Sequence, residues 1–444
     1  MLRGGVGRPD RSVTPENPVC RQQDEDIAPY MPSKSYVYPP VPTRATAKAI
    51  GNAAAIISAG GIAAFPTETV YGLGADATNP AAVARIYAAK GRPGDNPLIL
   101  HIADRWAFGQ LTDNPPGYAA ALINAFWPGP LTLVANKKPG LPPWLGGHPS
   151  GVTSTAGIRM PSHPVALAVI KASGCIIAAP SANKAGTPSP TLAEHVATDF
   201  ADGSIDFILD GGPVTCGLES TVVDVTGPEP VILRPGAITA AMISQATGLK
   251  THGFEPGATD AAMPTACRGE LCPPAPYRTP GDKSQPEAEA QPRSPGMKYR
   301  HYAPKAPMML LIGNDDDIAA YITLQFAKDR AQNRKTGVLV TTQTKIKLEQ
   351  ALSTSLPAQD KPCCANSTPY HLINLGDKPE TIAQNLYAGL RRFDAVGVDI
   401  IYAEAPTMDG LGIAIMDRMK KAAEGRIVYV PEKDNIRMHR QHLP

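Results

Sequence analysis

Ile62-Ala63-Ala64-Phe65-Pro66-Thr67-Glu68-Thr69-Val70-Tyr71-Gly72-Leu73-Gly74 is the stretch from which the fold can be read. Its first four residues are apolar and of strand length. Pro66 has no amide hydrogen for a sheet ladder, so the strand stops there. A polar, glycine-bearing loop follows at the strand's carboxyl end, where open α/β sheets put their ligands. Upstream, alanine and isoleucine share one face of a helix expected over Arg44–Ser58 and stopped by Gly60-Gly61. Downstream, Asn79-Pro80 reads as an N-cap followed by proline at the first helical position. That helix runs to about Ala89 and ends at Lys90-Gly91-Arg92-Pro93.

Apolar runs bounded by turn residues continue at Pro97–Ile102, Leu131–Ala135, Val152–Met160, Cys175–Ala179, Ile205–Leu209, Thr221–Val225 and Val231–Leu233. Helical stretches near Tyr118–Phe126, Val165–Ala172, Leu192–Phe200 and Ile238–Gln245 are interleaved with them. The pattern predicts an α/β domain over 44–250. From 251 to 306 proline, alanine, glycine and charged residues dominate, too few large aliphatics to offset ordering entropy, so a mobile linker is expected. Its end, Ser294–Pro304, is too rich in aromatic and basic groups to be spacer. Strands and helices then alternate strictly over 307–434, predicting a smaller, Rossmann-like domain with a parallel sheet. Residues 1–43 read as a disordered extension and 435–444 as a tail.

A length of 444 residues suits two domains plus connecting segments. The net charge of +2 gives no reason to expect a nucleic-acid footprint over the whole surface. The seven cysteines, Cys20, Cys175, Cys216, Cys267, Cys272, Cys363 and Cys364, form no C-x-x-C pair and read as reduced thiols of a cytoplasmic protein. No apolar stretch has the length of a membrane span, and residues 1–40 lack the apolar centre of a secretory signal.

Neither a G-x-x-x-x-G-K-[ST] loop nor a G-x-G-x-x-G turn is present, nor H-E-x-x-H or G-x-S-x-G, so any nucleotide chemistry uses another cradle. Lys90 and Arg92 stand one residue apart on a loop that Gly91 and Pro93 keep short of helix. They could converge on a polyphosphate, Arg92 as a fork and Lys90 as a point charge, or could merely complement a helix dipole. Arg159 sits in an otherwise apolar strand, where it should face a ligand carboxylate or an internal salt bridge. Pro180-Ser181-Ala182-Asn183 directly follows a strand, and Ser189 precedes a helix, where a hydroxyl could hold phosphate or simply cap. Glu219-Ser220-Thr221 and Arg234-Pro235-Gly236 flank two further strands, and His101 ends another. No catalytic constellation is found in the C-terminal part.

Together these segments resemble the YrdC-like family of threonylcarbamoyl-AMP synthases, in the long form that adds a C-terminal α/β domain. The likeness covers about 45 to 434 and rests on five motifs in the family's order: Pro66–Gly74, Lys90–Pro93 with Asn96-Pro97-Leu98, Pro180–Asn183, Glu219–Asp224 and Ser294–Pro304. It implies a twisted, mixed-sheet catalytic domain and a nucleotidyltransferase activity. L-threonine, bicarbonate or CO2, and ATP would give threonylcarbamoyl-AMP and pyrophosphate, for threonylcarbamoyladenosine in tRNAs reading ANN codons. By resemblance, Thr69, His101, Arg159, Ala179 and Ser220 look like the threonine site. Lys90, Arg92, Asn96, Thr155, Ser181, Ser189, Arg234, Tyr302 and Tyr299 look like the ATP site, with Thr67 and Asn183 in support. The segment 294–304 resembles a flap over the active site. Mg²⁺ is expected to accompany ATP, with its protein ligands open. A downstream tRNA threonylcarbamoyl transferase, and a contact with tRNA or double-stranded RNA, are the further partners expected.

Two other classes compete. An RNA-binding module would bind with steep salt dependence and indifference to threonine, but aromatic and basic residues interleave only at Lys298–Tyr302. A carbamoyl transferase of hydrogenase maturation would need acylphosphatase-like and zinc modules that this sequence lacks.

Overall fold

Two β-sheets organise the described residues of this computed structural model, 41–253, 301–355 and 370–431. The first is mixed and has ten strands: β1 (Pro42–Arg44), β2 (Ala63–Phe65), β3 (Gly72–Asp76), β4 (Ile99–His101), β5 (Leu131–Asn136), β6 (Thr155–Arg159), β7 (Ile177–Ala179), β8 (Phe207–Asp210), β9 (Thr221–Asp224) and β10 (Val231–Arg234). They lie in the order β1-β8-β2-β3-β7-β4-β6-β5-β9-β10. The accompanying helices are α1 (Ala47–Ser58), α2 (Pro80–Lys90), α3 (Trp106–Leu111), α4 (Gly117–Phe126), α5 (Pro164–Ser173), α6 (Ala193–Asp199) and α7 (Ala240–Thr247). The second sheet comprises β11 (Met308–Ile312), β12 (Thr336–Val340), β13 (Tyr370–Asn374), β14 (Ile400–Glu404) and β15 (Ile427–Tyr429). It is wholly parallel, in the order β13-β12-β14-β11-β15. Its helices are α8 (Asp315–Ala331), α9 (Thr342–Ser355), α10 (Pro379–Val396) and α11 (Leu411–Ala422).

Five elements depart from the sequence reading. The first helix begins at Ala47 rather than Arg44, because the Thr46 hydroxyl caps it by accepting from the Ala49 amide at 3.2 Å. Pro42–Arg44, expected as the junction of extension and helix, is instead strand β1, parallel to β8. Gly72-Leu73-Gly74, expected as loop, is the start of β3, antiparallel to β2 with Phe65 opposite Gly72. Glycine is required there: a Cβ on Gly74 would stand 2.5 Å from the Phe65 ring. Helices α3 and α9 were not anticipated, since each buries only a short apolar pair, Phe108 with Leu111 and Leu348 with Leu352. Of the flap, 294–300 with Tyr299 lies outside the described residues, as do most of the linker, the extension and the tail.

Both sheets bury apolar cores, and one cluster joins them: Val70 and Leu218 of the mixed half pack with Tyr302, Leu386, Tyr387 and Met416. No helix among the described residues is long and apolar enough to cross a membrane.

Candidate active site

The loops that leave β2 and β7 and the loop that enters β9 meet strands β4, β6 and β10 around a cavity. The pairing of β4 with β6 sets His101 opposite Arg159. Arg159, 4% exposed, donates from Nη1 to Thr69 Oγ1 at 2.9 Å and from Nε to the Gly129 carbonyl at 3.3 Å. Its Nη2 stands 2.8 Å from Glu68 Oε1. Both alternatives open for this arginine therefore coexist: it is internally paired, and it lines the cavity. That approach is not aligned as a hydrogen bond, so among the described residues neither Glu68 oxygen nor Arg159 Nη2 has a hydrogen-bond partner of good geometry. Burial works against the charge on Glu68, but the Arg159 guanidinium holds its carboxyl below the usual range. Burial, with Arg159 adding to it, pushes His101 down to about 3, so its imidazole is neutral at neutral pH. The ring Nδ1 lies 3.1 Å from the Ile99 carbonyl.

A second cluster surrounds Glu219. This carboxylate accepts from the Ser189 hydroxyl at 2.5 Å, from Tyr387 OH at 3.1 Å and from Arg418 Nε at 2.9 Å. Burial opposes its charge, yet Arg418 and then Arg234 bring its pKa down to about 2. Arg234 donates to the Ser220 carbonyl from Nε and Nη2, at 3.1 and 3.0 Å, and the Ser220 and Thr132 hydroxyls are hydrogen-bonded to each other at 2.7 Å.

Most of the expected site residues meet here. Thr67, Thr69, His101, Arg159, Ala179 and Ser220 line the cavity, and so do Arg92, Ser181, Asn183, Ser189, Arg234 and Tyr302. Lys90 and Asn96 line an adjoining space that shares Arg92, Ser181, Asn183 and His301. Lys90 is buried and donates to the carbonyls of Ser181 and Asn183, so its ammonium ties two loops together. Burial, reinforced by Arg92, holds that ammonium well below its ordinary pKa. Arg92 braces its own loop through the Asn96 carbonyl, Asn96 Oδ1 and the Pro97 carbonyl. Thr155 lines neither space; it opens β6 opposite Asn136.

Sequence reasoning missed Glu68, Glu219 and His301, and the two groups from the parallel half, Tyr387 and Arg418. The last had a legible signal. Arg418 interrupts the apolar run Ile413-Ala414-Ile415-Met416 and Met419, the same sign that singled out Arg159.

A family model described as "Telomere recombination" matches residues 55–236, and one described as "Threonylcarbamoyl-AMP synthase, C-terminal domain" matches 238–424. The threonylcarbamoyl-AMP synthase of Bacillus subtilis is 42% identical over 85% of this chain and 94% of its own length. That of Pyrococcus abyssi is 41% identical over 85% of this chain and 95% of its own. The chain belongs to the threonylcarbamoyl-AMP synthases. A crystal structure of the P. abyssi Sua5 protein complexed with L-threonine is similar to it with a TM-score of 0.69 and 38% identity, covering 88% of this chain and 99% of that one. Like the matched synthases, the chain couples a mixed-sheet half to a separate parallel half.

Proposed function

We propose that the chain adenylylates the carbamate of L-threonine, making threonylcarbamoyl-AMP and pyrophosphate from L-threonine, bicarbonate or CO2, and ATP. The product would serve threonylcarbamoyladenosine formation in tRNAs reading ANN codons, through a downstream transferase in the cytoplasm. The observation that carries this reading is the convergence of Thr69, His101 and Arg159 in one cavity with Arg92, Ser181, Ser189 and Arg234.

In this scheme Arg159 holds the amino acid's carboxylate. Its Nη2 is the guanidinium nitrogen without a well-aligned partner among the described residues, and its position is set by Thr69 and Gly129. The carbamate oxygen formed on the threonine nitrogen attacks the α-phosphorus, the P–O bond to the β-phosphate breaks, and pyrophosphate leaves. No protein nucleophile is needed; the loops position the two substrates and stabilise charge. Arg92 and Arg234 face the phosphates, with Ser181 and Ser189. The Ser189 proton is already given to Glu219, so its oxygen is free to accept rather than donate. Lys90 supports them by fixing the Ser181–Asn183 loop. Thr155 would be reached by a nucleotide that extends beyond the cavity. Among the described residues no three His, Cys, Asp or Glu side chains stand together as a metal cage. Glu219 is occupied by Arg418. Mg²⁺ would accompany ATP and offset part of the charge of its phosphates, its protein ligands being open.

Pyrophosphate release from ATP with bicarbonate tests the reading. Release should depend on L-threonine. Release that ignores threonine, or none with all three substrates, would sink the assignment.

A further inference from the structure

Helices α10 and α11 of the parallel half send Tyr387 and Arg418, both fully buried, to the back of the cavity wall. Besides Glu219, Arg418 donates from Nη2 to the Pro235 carbonyl at 3.0 Å and from Nη1 to Asp417 at 2.5 Å. Tyr302, which lines the cavity, is clasped by the same two groups. Its ring stacks on Tyr387 at 5.4 Å, and the Arg418 guanidinium lies 5.6 Å from its centroid. Tyr302 also has a φ of 65°, a conformation that a tyrosine keeps only when its surroundings impose it. The next amide, Ala303, donates to the Gly186 carbonyl at 2.9 Å.

Neither Tyr387 nor Arg418 lines the cavity, whereas Glu219 and Tyr302 both do. A buried arginine–glutamate pair contributes little net stability beyond what an apolar pair of like volume would give. Its directional bonds do fix geometry: with Arg418 and Tyr387 in place, Glu219 and the Ser189 hydroxyl it holds have one arrangement. We infer that Arg418 and Tyr387 are positioning residues for the substrate cavity, fixing Glu219 and Tyr302 in its wall, so that the site is complete only with the parallel half docked. This rests on the activity proposed above, and it gives the parallel half a part in that activity.

The test uses the full chain with Tyr387→Phe, which keeps the stacked ring and loses one hydroxyl, and with Arg418→Lys and Arg418→Met. Initial rates of pyrophosphate release are measured with ATP varied at saturating threonine, and the reverse. Tyr387→Phe should raise the KM for ATP about tenfold, because Glu219 and the Ser189 hydroxyl it holds lose a bond that fixes their position. The KM for threonine should stay within about twofold. Arg418→Lys should recover part of what Arg418→Met loses. In parallel, hydrogen exchange at the Ala303 amide should quicken about tenfold in Arg418→Met, which loses the guanidinium beside the Tyr302 ring, a tenfold change being about 1.4 kcal/mol, while the Leu310 amide, bonded to the Arg426 carbonyl, stays protected. Unchanged KM for ATP, equal rises for both substrates, or unchanged Ala303 exchange would each overturn the inference. Wild-type protein without threonine-dependent release would instead overturn the activity, and the exchange arm would still decide the positioning.

Discussion

Two buried arginine–glutamate pairs stand at this cavity, and they are built differently. Arg159 and Glu68 lie 2.8 Å apart within the mixed half, in a contact that leaves both Glu68 oxygens and one arginine nitrogen without a well-aligned partner among the described residues. Arg418 and Glu219 are 2.9 Å apart across the two halves, and Glu219 accepts from a serine, a tyrosine and the arginine. Spare N–H capacity on the arginine can take up a ligand's carboxylate as a second acceptor, whereas spare oxygens on Glu68 cannot. A saturated pair can only hold its neighbours still. On the proposed reading the comparison separates a group that binds from a group that braces, although burial and charge are nearly the same in both.

The largest effect should come from breaking the saturated pair. Arg418→Met leaves Glu219 buried among groups that expect its charge, and removing one partner of a buried pair costs about 3–5 kcal/mol. Urea unfolding at neutral pH measures this. Arg418→Met with Glu219→Leu should recover most of the stability without recovering turnover. Stability of Arg418→Met equal to wild type would erase the distinction between the pairs.

Breaking the other pair should cost stability too, since Glu68 is then buried without its counter-charge, and should add a loss of binding. Arg159→Ala removes the nitrogen available to the ligand, and a charged hydrogen bond contributes about 1.5–3 kcal/mol, or about ten- to a hundredfold in affinity. Calorimetry with L-threonine should show that loss, while the KM for ATP changes by less than about threefold. Unaltered threonine affinity would remove Arg159 from the role given to it.

The two pairs also differ in how far the sequence revealed them. Arg159 stood out because a charge in a short apolar strand is a local anomaly, and its partner Glu68 lies in the Pro66–Gly74 motif. Most strands were legible for the same local reason, an apolar run closed by proline or glycine. Strand β3 was not, because Gly72 and Gly74 carry a turn signal while sterics against Phe65 demand them in a sheet. Arg418 is an equally plain anomaly in α11, but Glu219 lies 199 positions away in the chain, and no periodicity in either segment encodes that meeting. Convergence of the motif loops was legible through their order. The contribution of the parallel half was not, because it passes through two side chains that never line the cavity.

The smallest effect sharpens the comparison through acid. Each pair has an imidazole nearby: buried His101 faces Arg159, and half-buried His301 lines the cavity with Glu219. Burial first, then Arg159, lowers His101 to about 3, and burial first, then Arg92 and Lys421, lowers His301 to about 4. Both groups stay neutral in the folded state at pH values where the unfolded chain, with histidine near 6.5, takes up protons. Their stabilisation is thus full above about pH 6.5 and is lost as pH falls towards the folded values. One such group steepens the fall by about 1.4 kcal/mol per pH unit. Urea stability followed from pH 7 to 5 should therefore decline less steeply in His101→Gln than in wild type, by about that amount per unit. Glu219, at about 2, stays ionised across this window, so the saturated pair should add no slope of its own. Identical slopes in the two proteins would mean that His101 takes up its proton beside Arg159 as readily as in the unfolded chain, so that burial does not keep it neutral.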